Sequence, residues 1–329
     1  MFKLSRRNVM AGGAVAAAAA VAAAPFRPTA ANAQAAGGAV SPLTGVYAYK
    51  LGDAEITQVF DGARTFPIPE NFIINVSKED TAKAYAGQFM PAGQLTITFS
   101  PLVVKTGGKT IAIDTGNGLG ANAATKGAVG NMRHSMAAAG IDPKSIDVVL
   151  ISHFHGDHIN GLKNADGSPA FPNAQILVPA VEQAFWTDES NASKANGANK
   201  GNFANVKKVF EGIKTTPFEA GKEVAPGITS MATPGHTPGH VSFVIASGNK
   251  SVMVQGDVTN HPGVFMPNPG WHMVFDNEAQ VAEATRKKFY DMAVADRLPI
   301  IGYHFPFPSA GYVEKSGTGY RLVQAHVLS

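Results

Sequence analysis

Residues 150–162 read LISHFHGDHINGL. Three histidines and an aspartate (His153, His155, Asp157 and His158) fall within six positions, directly after an apolar run. The whole chain holds only 10 histidines in 329 residues, so this cluster stands far above its background. The run before it, SIDVVLISH (145–153), is short and β-rich, as expected for a buried strand. On an extended backbone His153 and His155 face the same side. Asp157 and His158 lie past Gly156, where the chain turns. Two ligand pairs facing one gap suit two neighbouring metal ions better than one. Side chains at a strand end are aimed by a rigid scaffold, a usual place for a functional site.

Working outward, three more apolar runs end in ligand-type side chains. ITSMATPG (228–235) leads into TPGHTPGH (233–240), which offers His236 and His240. VMVQGD (252–257) ends at Asp257, and IIGYHFPFP (300–308) carries His304. Strands of one sheet ending at one edge would bring these groups together. PLVVKTGGKTIAIDTG (101–116) reads as a hairpin turning at Gly107-Gly108 and ending near Asp114. Further strands are expected over 174–179 and 241–246. A helix is expected over 277–297, with Asn277 as N-cap, Gln280 three residues later, and Val281, Ala284, Phe289, Met292 and Ala295 at helical spacing. A shorter helix over 131–140 closes at Gly140. Residues 187–205, polar and rich in Asn, Lys and Gly, read as a mobile surface loop.

The N-terminus is set apart from this fold. MFKLSRRNVM is basic and carries Arg6-Arg7, an Ala-rich apolar stretch runs from Val9 to Ala24, and small residues follow at Ala31-Asn32-Ala33. Residues 1–33 read as a twin-arginine export signal cut after Ala33, which places the mature protein in the periplasm and makes the export machinery a partner. A short Ala-rich stretch is too weakly apolar for a lasting span, so no membrane is expected in the mature form. Residues 34–44 read as a linker and 45–329 as one domain. Four of the 27 Lys and Arg residues lie in 1–33, leaving 23 basic against 24 acidic residues. That balance gives no ground for a nucleic-acid partner. The absence of cysteine excludes disulfides, thiolate metal sites and a Cys nucleophile.

Taken in order, Asp114, the HxHxDH at 153–158, His236, Asp257 and His304 resemble the metallo-β-lactamase superfamily. The resemblance spans roughly Asp114 to His304. It implies an α/β fold, a four-layer αβ/βα sandwich, with a dinuclear zinc site at one edge. It further implies that His153, His155 and His236 hold one ion, that Asp157, His158 and His304 hold the other, and that Asp257 bridges them. His240 and Asp114 would stand behind these ligands. Imidazole and carboxylate donors also suit manganese, cobalt or iron. Diiron flavoprotein relatives typically carry Glu where His155 stands, which argues against a redox protein. A periplasmic zinc-binding protein could use the same ligands, but seven ligands for two ions leave positions open, which favours catalysis.

The implied reaction is hydrolysis by a metal-bridging hydroxide, with Asp257 and Asp157 as catalytic carboxylates and Asp157 assisting the leaving group. Within the superfamily the resemblance is closest to the group of methyl parathion hydrolase and related lactone and aryl-ester hydrolases, through the export signal, the long segment before Asp114, TPGHTPGH and GYHFPFP. The expected substrate is a lactone or aryl ester, with organophosphate triesters as secondary substrates. A dedicated phosphotriesterase, an acyl-homoserine lactonase and a β-lactamase are the alternatives. Asn260 stands where such lactonases usually carry tyrosine, and β-lactamases generally lack a bridging aspartate. Residues 258–275 contain no Lys or Arg. If that stretch lines the pocket, the ligand is small, neutral and hydrophobic, with Trp271 and Phe275 as walls and Trp186 as another. The apolar part, 264–275, is also a candidate homodimer contact.

Overall fold

Alternation sets the layers. In TIAIDTG and SIDVVLISH, successive apolar side chains feed two different cores, so each strand is buried on both faces. In the computed structural model, which describes residues 44–195 and 197–325, the first half contributes β1 (Val46–Leu51), β2 (Ala54–Val59), the pair β3 (Gly62–Pro67) and β4 (Gln94–Phe99), and then β5 (Leu102–Thr106), β6 (Lys109–Ile113), β7 (Val148–Leu150), β8 (Gln175–Pro179) and β9 (Thr215–Phe218). The second half contributes β10 (Glu223–Ala225), β11 (Ile228–Ala232), β12 (Val241–Ser247), β13 (Lys250–Val254), β14 (Ile300–Ile301), β15 (Ala310–Ser316) and β16 (Gly319–Gln324). The helices are α1 (Lys78–Ala86), α2 (Gly118–Ala124), α3 (Met132–Ala138), α4 (Gly156–Ile159), α5 (Ala180–Thr187), α6 (Glu189–Lys194), α7 (Gly197–Phe210), α8 (Pro262–Phe265) and α9 (Ala279–Ala295). The expected signal and residues 34–43 of the linker lie outside the described residues.

Two seven-stranded sheets pack face to face, ordered β1-β2-β5-β6-β7-β8-β9 and β10-β11-β12-β13-β14-β15-β16, with β3-β4 as a separate ribbon. Strands β6 to β9 run parallel, as does the β13-β14 pair. Ile111, Ile113, Leu150 and Leu177 meet Val241, Phe243, Val252 and Val254 between the sheets. Their sequence neighbours Ala112, Val149, Ile176 and Val178 face the other way, onto α3, α5 and α7. On the far side Met253 and Ile300 meet Phe289, Tyr290 and Ala293 of α9. This is the four-layer αβ/βα sandwich that the resemblance implied. The Gly107-Gly108 hairpin is as expected, both residues holding φ near +54° and +72°.

Three local expectations fail for identifiable reasons. The stretch 187–205 is not a loop but largely helix. Asp188 caps α6 through Ser190 N–H, and Phe203, Val206 and Val209 form an apolar stripe on α7 too narrow to stand out in polar sequence. Helix α9 starts after Glu278 rather than Asn277 and has no side-chain cap, because the N–H groups of Asn277 and Glu278 bind the carbonyls of His236 and Gly235. Its buried face is Ala282, Arg286, Phe289, Tyr290 and Ala293, so Val281, Ala284 and Ala295 point outward. The shift follows from Arg286, whose buried guanidinium donates to the carbonyls of Val258, Pro269 and Trp271.

Candidate metal centre

The motif residues converge, but from both sheets rather than one. His153, His155, Asp157 and His158 follow β7 of the first sheet, while His236, Asp257 and His304 follow β11, β13 and β14 of the second. Three groups of ligand atoms lie within 4.8 Å of one another: His153, His155 and His236; His153, His158 and Asp257; and Asp157, His158 and His304. The two carboxylate oxygens of Asp257 face different partners. Oδ1 lies 3.3 Å from His158 Nε2, and Oδ2 lies 3.2 Å from His236 Nε2 and 3.0 Å from His304 Nε2. His153 Nε2, His158 Nε2 and Asp257 Oδ1 are buried with no hydrogen-bond partner. Buried polar atoms are normally satisfied, so orphans converging on one point fit a cation. His153 and His158 each belong to two of the three groups.

Three of the candidate imidazole ligands, His158, His236 and His304, are oriented by a group behind them, as metal-binding imidazoles require. Asp114, at φ 59°, accepts from Ser152 N–H and faces His158 Nδ1 at 2.8 Å. His304 Nδ1 donates to the Thr98 carbonyl at 2.8 Å. His240 Nε2 accepts the Asp257 N–H at 2.9 Å and so bonds to the backbone of the cluster. Gly256 is needed there: a Cβ on it would fall 2.7 Å from His240 Nε2, at a φ of +57°. Two orienting residues escaped the sequence. Asp276 holds His236 Nδ1 at 2.9 Å and is itself 3.5 Å from Arg286. Tyr303 lays its ring on His158, with centroids 3.9 Å apart, and donates its hydroxyl to the Asp157 carbonyl at 2.6 Å. No spacing marks Asp276. Tyr303 had only its place beside His304.

The electrostatics follow from burial among carboxylates. Burial, then His158, hold the His153 pKa well below the ordinary value, and burial, then His236, push His155 down to about 3. Both imidazoles are therefore neutral and ready to donate lone pairs. Burial works against a charged His158, but Asp257, Asp157 and Asp114 outweigh it and hold its pKa well above the ordinary value. Burial would likewise raise the Asp257 pKa, but His304 and His158 keep it well below the usual carboxylate range.

A cavity of about 550 Å³ opens onto this cluster and reaches His155, Asp157, His236, Asp257 and His304. One wall is apolar, from Phe66, Ile97 and Phe99 of the β3-β4 ribbon and from Met273, Val274 and Phe275. The other is amide-rich: Asn117, Asn160, Asn199, Asn202 and Asn260. Arg64 stands at the edge, over the Phe66 ring and with no carboxylate partner among the described residues. Phe275 is a wall, as expected. Trp186 is not: it is 3% exposed, and its indole N–H donates to Glu182 at 2.7 Å. It packs behind His155, ring centroids 6.0 Å apart. Trp271 is likewise packing, half-buried against the cluster of Phe72, Leu95 and Phe265. Val264, Phe265 and Met266 are buried within their own chain, which removes them as a dimer contact.

The model of the Metallo-beta-lactamase superfamily matches residues 98–304. A probable metallo-hydrolase of Mycobacterium tuberculosis is 23% identical over 229 residues, 59% of this chain and 72% of that one. An N-acyl homoserine lactonase of a Bacillus species is 30% identical over 107 residues, which is 32% of this chain and 35% of the lactonase. Among solved structures, AidC, a dizinc quorum-quenching lactonase crystallised with its product N-hexanoyl-L-homoserine, superposes with TM-score 0.79 and 25% identity, covering 88% of this chain and all of AidC. The hydrolase AbOPH superposes with the same score, identity and coverage. With the sandwich, the ordered motif and the convergent His/Asp cluster in place, this chain belongs to the metallo-beta-lactamase superfamily and is one of its metal-dependent hydrolases.

Proposed function

We propose that the chain is a dinuclear zinc hydrolase of lactones or aryl esters, able to turn over organophosphate triesters as secondary substrates. The observation that carries this reading is the shared membership of the three ligand groups, which leaves room for two adjacent ions at the floor of one cavity. His153, His155 and His236 would hold one ion; Asp157, His158 and His304 would hold the other; Asp257 would serve both. When bound, such ions supply Lewis acidity and lower the pKa of water from 15.7 towards about 7. Asp157 reaches the cavity, and although burial opposes it, His158 and His304 hold it ionised. It can take the proton shed by the attacking water and return it to the leaving oxygen.

The walls support a substrate class. An apolar acyl or aryl group fits Phe66, Phe99 and Phe275, while the amides of Asn117 and Asn260 and the guanidinium of Arg64 suit carbonyl and ether oxygens. That makes the ligand amphipathic rather than purely hydrophobic. The likeness to a dizinc lactonase supports both the metal count and the lactone. A homoserine lactone is the second reading, favoured by the similarity to N-acyl homoserine lactonases. Against it, Asn260 lines the cavity and the Tyr303 hydroxyl is spent on a backbone carbonyl. We also infer export of the folded, metal-loaded chain from residues 1–33.

The test is zinc analysis of the purified protein, then a panel of an aromatic lactone, a p-nitrophenyl ester, methyl parathion, a homoserine lactone and a β-lactam. Two zinc ions per chain and highest kcat/KM on the aromatic lactone or the aryl ester are expected. A leading β-lactam would refute the substrate class, and a single ion would refute the two-metal floor.

A further inference from the structure

Glu182 is a fully buried carboxylate on α5 that no part of the proposed chemistry uses. Among the described residues no Lys, Arg or His pairs with it. Four donors surround it instead. Oε1 accepts from Phe154 N–H at 3.0 Å and from the Trp186 indole at 2.7 Å. Oε2 accepts from the Thr237 hydroxyl and from Gly239 N–H, both at 2.9 Å. Three of these groups can only donate, which favours the ionised form. Burial outweighs these donors and leaves the Glu182 pKa above the ordinary carboxylate value.

The positions of those donors are what matters. Phe154 lies between His153 and His155, and its carbonyl is gripped from the other side by the Asn202 amide at 3.1 Å. Thr237 and Gly239 lie between His236 and His240. Gly239 approaches so closely that a Cβ on it would fall 2.2 Å from the Glu182 backbone nitrogen. One carboxylate therefore ties the loop after β7, from the first sheet, to the loop after β11, from the second. The ligands it ties are the three histidines His153, His155 and His236. The other group is held differently, by Asp114 on His158 and the Thr98 carbonyl on His304.

We propose that Glu182 is a positioning residue for the three-histidine metal site alone, clamping its ligand loops across the two sheets and supplying a buried negative charge that only a nearby cation offsets. A buried carboxylate without a counter-charge is costly, so its retention one peptide unit from three metal-ligand candidates has a physical reason. The inference rests on the two-site reading above. Partners behind a metal ligand typically set affinity by roughly 10- to 100-fold.

The test is zinc affinity by chelator competition on the full chain, with Glu182→Gln placed in two backgrounds. His304→Ala disables the second group and leaves the three-histidine site; His236→Ala does the reverse. Gln keeps the shape and can accept on one side, but it turns an amide N–H toward Gly239 N–H. We expect E182Q to weaken zinc roughly 10- to 100-fold in the H304A background and to change it by less than about threefold in the H236A background. Equal shifts in both, as a merely structural role would give, or no shift in either, would overturn the assignment. Should E182Q not fold, Thr237→Val removes one donor only. A weaker effect confined to the same site supports the clamp, and its absence overturns it. Wild-type protein binding only one zinc would sink the two-metal reading, while the H304A comparison would still decide the role of Glu182.

Discussion

The floor of the cavity and its walls are built in opposite ways. On the floor His153, His158 and His236 are nearly inaccessible, and a fixed partner stands behind His158, His236 and His304. On the walls Arg64 and Val274 are exposed, and Phe275 keeps 39% of its surface free. The floor is over-determined at His158, His236 and His304, since each of these three imidazoles is fixed by a hydrogen bond as well as by its strand-end backbone. The walls come from the β3-β4 ribbon, a short connecting segment and the face of α7, and the first two also reach the floor through the Thr98 carbonyl and Asp276. Such a division fixes the chemistry while leaving substrate choice open to change, consistent with function residing in sites carried by a shared fold.

The largest expected effect is on the floor. Asp257→Ala removes the carboxylate that faces His158 with one oxygen and His236 and His304 with the other. Loss of several kcal/mol of charge stabilisation corresponds to a drop in kcat of at least ~10³-fold. Mass spectrometry under native conditions should show fewer than two metal ions. Ordinary turnover in this variant would break the contrast at its root, because the floor would then be as replaceable as a wall.

Asp61 sharpens the comparison, since it is a floor-like device serving a wall. Its buried carboxylate accepts from Asn117 N–H, the Asn117 amide, Gly130 N–H and Met132 N–H, and Asn117 lines the cavity. Burial pushes its pKa from 3.8 up to about 6, against those donors. The folded state then holds a proton that the unfolded state releases. Stability from this group is fully present below about pH 4 and is lost as pH rises through about 6, amounting to about 3 kcal/mol in all. Asp61→Asn cannot titrate, and the metal ligands titrate alike in both proteins. The difference in urea-unfolding free energy between wild type and D61N should therefore move by about 2 kcal/mol, against the wild type, between pH 4 and 6. A flat difference would mean that the donors, not burial, govern the carboxylate.

What the sequence revealed followed the same division. The floor was legible because its ligands sit at strand ends in short, dense motifs, where a period of two and a turn glycine fix their direction. HxHxDH and the later His236, Asp257 and His304 needed no knowledge of the fold. Their convergence from two sheets, however, depends on pairing that no local pattern encodes. Trp186 and Trp271 misled because an aromatic near a motif reads the same whether it lines a cavity or packs behind a ligand. Helix α7 was hidden because three apolar residues on one stripe vanish in an Asn- and Lys-rich average. Arg286 shifted the apparent face of α9, since a charge buried on three carbonyls breaks the apolar period. Asp276 and Glu182 act across the tertiary structure. Glu182 left one trace, a lone charge inside the apolar run VPAVEQAFW.

The smallest expected effect belongs to the walls, and it separates them from the floor most directly. Phe275 is held by an edge contact with Phe72, ring centroids 6.0 Å apart, and by the Met273 to Asp276 turn. Its partial exposure means that a bound apolar group would bury only the remaining area, worth about 1 kcal/mol. Phe275→Ala should raise KM for an aryl ester roughly fivefold and leave kcat and metal content as in the wild type. Arg64→Ala, on the same rim but polar, should leave the aryl ester nearly untouched and raise KM for a substrate with more oxygen atoms, such as a homoserine lactone. A fall in kcat in either variant would mean that the rim reaches the reacting atoms, and the separation of wall from floor would have to be redrawn.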